Sequence, residues 1–268
     1  MTPIYRWKLP VTALMILVGA TPLWARRPET GFLNRIVLVD GVTYKYQVFV
    51  PANWSKKMKW PVILFLHGYG EEGEDGLLQT DEGLPHAIRA HVERFPFVVA
   101  MPQCRKHDWW TNPVMEAQAL KALDQTLQEF RGDPERIYLT GLSMGGFGTW
   151  SLASRHPGKF AAIAPVCGGI HIDHGSQYPN YRDVDDSPDP YASTARKIGK
   201  TPAWVFHGDA DDTIPVTESR KMVDALRAVG GDVRCTEYPG IKHNSWDKAY
   251  NEPELPTWLL AQKLALAK

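Results

Sequence analysis

The stretch Arg136-Ile137-Tyr138-Leu139-Thr140-Gly141-Leu142-Ser143-Met144-Gly145 decides the fold. Its first half has the apolar, β-branched character of a strand and passes without a break into a G-x-S-x-G turn. A serine raised on a sharp strand-to-helix turn holds a strained backbone, and side chains two positions away on either side would collide with it. Glycines at 141 and 145 remove those side chains. The helix predicted to follow sets its N-terminus beneath the serine oxygen. Five residues match by chance often enough that the flanking strand and helix, not the motif alone, carry the reading.

Outward from this turn, strands and helices alternate. Residues 32–39 and 44–50 are β-rich runs joined by Asp40-Gly41, a hairpin signal. Continuous apolar runs follow at 61–66 and 97–101, and again at 161–166, 203–206 and 233–238. One helix is expected near 84–94. A second starts where Asn112 caps Pro113 and runs to about Phe130, with Leu120, Leu123, Leu127 and Phe130 on one face. Another spans 218–229 before Gly230-Gly231, and a last amphipathic helix follows Pro256. Unbroken apolar strands separated by helices predict an α/β fold, a mostly parallel central sheet flanked by helices on both faces. No repeat or low-complexity linker divides residues 26–268, so a single domain is expected. The polar stretch 168–189 reads as a small lid or a surface excursion.

Serine is unreactive at neutral pH without a base. Strand-turn-helix nucleophiles take their partners in the chain order serine, acid, histidine. The run at 203–206 ends in His207-Gly208, followed by Asp209-Ala210-Asp211-Asp212, and beyond that loop the only histidine is His243. The base is therefore His243, while Asp209, Asp211 and Asp212 all stand as candidate acids. Oxyanion donors are expected from the backbone N–H of Met144, next after the nucleophile, and of Tyr69, with Gly68 behind it, in His67-Gly68-Tyr69-Gly70. Trp109 and Trp110 follow the strand that ends at Met101, at the rim where a parallel sheet places its site. Two adjacent tryptophans are not expected to point into one core, so at least one is expected to be semi-exposed and to stack on a sugar or aromatic acyl group. Trp246 lies three residues after His243 and joins them as a candidate contact or a brace for the histidine loop.

Across 268 residues, 30 Lys+Arg balance 30 Asp+Glu. That balance gives no electrostatic reason to expect a nucleic acid or an anionic membrane surface as partner. With 44% hydrophobic and 22% charged residues, the composition is globular rather than disordered. Residues 1–25 read as a secretory signal: Arg6 and Lys8 precede an apolar run over 9–19, and Ala25 stands before Arg26-Arg27. The run is about half of the ~20 residues a spanning helix needs, so no stable membrane insertion is expected after processing. An exported chain would be secreted or periplasmic. Cys104, Cys167 and Cys235 permit at most one disulfide within the chain and lack C-x-x-C spacing. His171, Asp173 and His174 cluster in the long polar stretch, but as a solvated loop; no metal and no cofactor are expected.

With those residues in hand, the chain resembles the α/β-hydrolase superfamily, and within it secreted bacterial esterases and predicted peptidases related to feruloyl and acetyl esterases. The supporting strings are LFLHGYG at 64–70, IYLTGLSMGGFG at 137–148, HGDADDTIP at 207–215 and HNSWD at 243–247. The resemblance implies an α/β-hydrolase fold with a small lid or none. Laid on the family pattern His-Gly-x-x-Asp-x-x-(Val/Ile)-Pro, it selects Asp211 as the acid. It further implies a serine esterase acting through a Ser143-His243-Asp211 triad and an acyl-enzyme, on small-molecule or polysaccharide-linked esters. A serine peptidase of the same fold and a non-catalytic hydrolase-like binding protein are the alternatives. The chain has no room for the extra domain that large peptidases of this fold carry, and no triad member is missing.

Overall fold

Trp60–Leu66 (β3), WPVILFL, is buried at every position. A strand with both faces covered has no need to alternate polar with apolar residues. A computed structural model describes residue 3, residues 29–172, residue 178 and residues 180–264. The expected signal at 1–25 lies outside the described residues apart from Pro3.

Seven further strands join β3 in one sheet: Gly31–Val39 (β1), Val42–Val50 (β2), Val98–Pro102 (β4), Gly132–Leu142 (β5), Ala162–Val166 (β6), Ala203–Gly208 (β7) and Val233–Tyr238 (β8). Their order is β1-β2-β4-β3-β5-β6-β7-β8. Strand β2 runs antiparallel to both its neighbours, and the pairs from β4 to β8 are all parallel. The β1–β2 hairpin closes through Asp40 and Gly41 at φ 49° and 81°. Positive φ at both turn residues matches the right-handed twist of the strands, and Asp and Gly tolerate it best.

The pleat of β3 sorts the core into two layers. Val62, Leu64 and Leu66 pack under the helices Pro113–Glu129 (α2), Met144–Arg155 (α3), Pro190–Ile198 (α4) and Thr217–Ala228 (α5). Ile63 and Phe65 face Leu84–Ala90 (α1), Trp246–Asn251 (α6) and Leu255–Ala261 (α7) on the other side. No helix among the described residues is long and apolar enough to cross a membrane.

Three local expectations change. The helix expected over 84–94 stops at Ala90, and Val92–Arg94 is a separate single turn. On α2 the buried centre is Ala119, Ala122 and Leu123, while Leu120 and Leu127 only flank the core. Two alanines let the helix approach the sheet closely, so the longer leucines are displaced to the margin. Asn112 does occupy the N-cap position, but its side chain makes no cap bond. It turns instead to Asp108 and to the Asn180 carbonyl. Helices α4 and α6 were not foreseen.

Candidate active site

Ser143 ends β5 and opens α3 at φ 52° and ψ −116°. The steric requirement is visible in the glycines: a Cβ on Gly145 would stand 2.0 Å from the Leu66 carbonyl oxygen, and one on Gly141 would stand 2.3 Å from that of Gly145. The sharp turn lifts the hydroxyl out of the sheet while the serine backbone stays fixed. Its N–H donates to Val166 O at 2.9 Å, and its carbonyl accepts from Gly146 N–H at 2.8 Å.

Loops at the same end of the sheet bring the other two groups in. His243 Nε2 lies 2.9 Å from Ser143 Oγ, and His243 Nδ1 lies 2.8 Å from Asp211 Oδ2. The second oxygen of Asp211 accepts the N–H groups of Thr213 and Ile214, each at 2.9 Å. Its side chain is 0% exposed, against 20% for the imidazole. Burial alone would push the Asp211 carboxyl up, but the bonds from His207 and His243 outweigh it and hold the group well below the usual carboxylate range. A buried, ionised carboxylate on Nδ1 fixes the imidazole tautomer and leaves Nε2 free to accept the serine proton.

The other two candidate acids have different tasks. Asp212 is 58% exposed and pairs with Lys242 at 2.8 Å. Asp209 accepts the Gly240 N–H at 2.7 Å, stapling the acid-bearing loop to the histidine-bearing one. The same two loops press together at Gly208, where a Cβ would stand 2.1 Å from Ile241 O.

Met144 and Tyr69 each stand first in a helical segment, where a backbone N–H has no acceptor within its own helix. The Gly68 N–H, the other sequence candidate, is taken by Glu71 Oε2 at 2.9 Å. His67, which the motif marks only as part of the loop string, anchors the Gly68–Tyr69 peptide. Its Nε2 accepts the Cys104 N–H at 2.9 Å, so Nδ1 carries the proton and donates to Gly68 O at 2.6 Å. That carbonyl and the Tyr69 N–H belong to one planar peptide, so fixing the oxygen aims the N–H. Burial pushes the His67 imidazole down to about 4 and keeps it neutral.

A cleft of about 300 Å³ opens over Ser143 and His243, walled by Tyr69, Trp109, Phe147, Tyr178, Ile214 and Trp246. Trp109 sits at the centre of an aromatic cluster, with its ring 4.8 Å from Tyr181, 5.4 Å from Tyr178 and 5.8 Å from Phe147. Trp246 stands edge-on to His243 at 5.5 Å and bonds Glu82 at 3.2 Å, so it both braces the base and lines the cleft. Trp110 corrects the expectation. It is wholly buried beneath the cleft, with its ring 5.1 Å from His67 and its Nε1–H donating to His67 O at 3.0 Å. Trp109 is also only 3% exposed, so neither residue of the pair is semi-exposed. Both belong to the core layer beneath α2 and α3.

Of the cleft residues, Phe147 was within reach of sequence reasoning, one helical turn after Ser143. Ile172 and Tyr178 come from the long polar stretch, which thus forms a wall of the cleft. Of the suspected cluster there, His171 pairs with Asp183 at 2.9 Å, while Asp173 and His174 lie outside the described residues. Among the described residues, the one group of three potential metal ligands is Cys167, Asp211 and His243, two of which are the hydrogen-bonded pair described above. The three cysteines are unbridged. A larger hollow of about 480 Å³, lined by β1, β2, residues 75–77 and Gln125 of α2, contains none of the groups above.

The chain is similar to several known proteins. An uncharacterized secreted protein of Arthroderma benhamiae is 27% identical over 232 residues, covering 78% of this chain and 24% of its own length. An uncharacterized peptidase of Bacillus subtilis is 25% identical over 268 residues, covering 85% and 38%. The chain thus spans from about a quarter to two-fifths of the length of these curated relatives. The crystal structure of a thermostable esterase superposes at a TM-score of 0.73 with 33% identity, covering 87% of this chain and 63% of that one. The sequence profile of the prolyl oligopeptidase family matches residues 106–259, which contain the serine turn, the Asp211 loop and His243. On that match, over more than half its length, the chain belongs to the prolyl oligopeptidase family, carried on an α/β-hydrolase fold.

Proposed function

We propose that the chain is a secreted or periplasmic serine esterase that hydrolyses carboxylic esters through Ser143, His243 and Asp211. The continuous hydrogen-bonded line from Ser143 Oγ through His243 to Asp211 carries this reading. Ser143 Oγ attacks the ester carbonyl as His243 Nε2 takes its proton. Asp211 holds the resulting imidazolium, and the Tyr69 and Met144 N–H groups receive the oxyanion. His243 then gives its proton to the leaving alcohol. Water repeats the sequence and frees the acid.

The cleft supports a neutral, partly aromatic substrate, as in feruloyl or acetyl esters of plant polysaccharides. Its walls are largely aromatic, and Glu71, the one carboxylate among its described lining residues, disfavours an anionic acyl group. The similarity to a Bacillus subtilis peptidase makes peptide cleavage the second reading. Ser143→Ala should abolish hydrolysis of p-nitrophenyl acetate while the protein stays folded; surviving turnover would overturn the assignment. Asp211→Asn should cost about 10⁴-fold in kcat, as loss of the orienting carboxylate does elsewhere, with Asp212→Asn near wild type. A panel of p-nitrophenyl esters, methyl ferulate, acetylated xylan and a peptide anilide decides the substrate. Anilide cleavage without ester hydrolysis would favour the peptidase.

A further inference from the structure

His207 is the penultimate residue of β7, four before Asp211, is fully buried, and has no step in the mechanism above. Its Nδ1 lies 2.7 Å from Ser219 Oγ of α5. Its Nε2 lies 2.9 Å from Ile214 O and 3.2 Å from Asp211 Oδ2. Both neighbours of Nε2 are acceptors, so that nitrogen carries the proton, and Nδ1 accepts from the Ser219 hydroxyl. Asp211 is then surrounded by N–H groups: Thr213 and Ile214 on one oxygen, His243 and His207 on the other. The single Nε2–H of His207 is shared, with Ile214 O the nearer acceptor at 2.9 Å and Asp211 Oδ2 the second at 3.2 Å.

We propose that His207 is a positioning residue of the triad, a second imidazole, locked in one tautomer by Ser219, that pins Asp211 Oδ2 beneath His243 and takes up part of its charge. The proposal rests on the Ser143-His243-Asp211 reading. Because His207 and His243 share one oxygen, charge drawn by the first is withheld from the second. Without the His207 N–H the carboxylate is more basic, and the His243 imidazolium keeps its proton to higher pH. The Ser219 O–H polarises the ring and makes Nε2–H a stronger donor.

The surrounding charged and titratable groups are few. The Cys167 thiol of the loop after β6 is pushed up to about 12 by burial and stays neutral. Glu237 of β8 pairs with Arg220 of α5 at 2.6 Å, Asp212 pairs with Lys242, and Asp209 accepts the Gly240 N–H.

The test is the pH profile of kcat/KM on p-nitrophenyl acetate for the full chain and its His207→Gln, His207→Phe and Ser219→Ala variants. His207→Phe should lower kcat by about 10- to 100-fold, the worth of one hydrogen bond to a charged group. KM should stay within about twofold. The acid limb should move up by about half a pH unit or more. His207→Gln, which can present an N–H where Nε2 stood, should restore most of the turnover and the wild-type limb. Ser219→Ala should move the limb in the same direction by less. An acid limb that stays in place in both His207→Phe and Ser219→Ala would overturn the proposal. If His207→Phe does not fold, the limb of Ser219→Ala decides alone. An active Ser143→Ala would instead defeat the underlying triad reading, so the two failures are distinct.

Discussion

Trp109 and Trp110 are chemically identical neighbours with different tasks. Trp110 buttresses His67 from below, and Trp109 joins Tyr69, Phe147 and Tyr178 in the cleft wall. Trp109→Ala should therefore raise KM for methyl ferulate well above its effect on p-nitrophenyl acetate. Unfolding in urea should show a loss of about 3–5 kcal/mol, the usual cost of emptying an aromatic site. An equal KM change for both esters would remove Trp109 from the acyl site. Ser143 and His243 were legible because a motif and a chain order leave them no rivals. Asp211 needed a family resemblance: three aspartates within four residues look alike until burial separates them. The Trp pair departs from its expectation because neighbouring side chains outside a regular strand can both turn into one core layer, which the sequence does not show.

At the scale of elements, the nucleophile turn is the least tolerant part of the chain. Gly145→Ala would drive a methyl into backbone, not into a movable side chain, so β3 or α3 must shift. Overpacking of this kind costs about 1–3 kcal/mol. Activity should fall further than stability, since the same shift displaces Ser143 and the Met144 N–H; thermal melting beside p-nitrophenyl acetate turnover checks this. A variant that melts lower with unchanged turnover would contradict it. Helix α4 shows what was legible and passed over. Asp189 accepts the Ala192 N–H at 3.1 Å and Pro190 opens the helix, the same cap-then-proline signal that located α2. The polar composition of 168–189 masked it. Helix α6 is a short stretch of six residues with two buried ones, too little for any apolar period to register.

For the whole molecule, two buried groups tilt stability against pH in opposite directions. His67 falls to about 4 in the fold, from about 6.5 in an unfolded chain. The unfolded chain therefore binds a proton first, and stability drops as pH falls through that window by on the order of 3 kcal/mol. Glu72 behaves in reverse, because burial raises it to about 7 and one of its oxygens has no partner. Its cost begins near the unfolded pKa of about 4.3 and is complete above about 7. Urea titrations at pH 4, 5.5 and 8 should show His67→Asn losing less stability toward acid than wild type. Glu72→Gln should lose less toward alkali. Parallel curves for wild type and variants would refute both assignments.

The contact between Asp209 and Gly240, with Gly208 pressed on Ile241, has a consequence for redesign. The turns that carry Asp211 and His243 form a single cassette, clasped at the backbone. An insertion in either one would dislodge both side chains, so loop grafting between related proteins must exchange the two segments together or leave both alone.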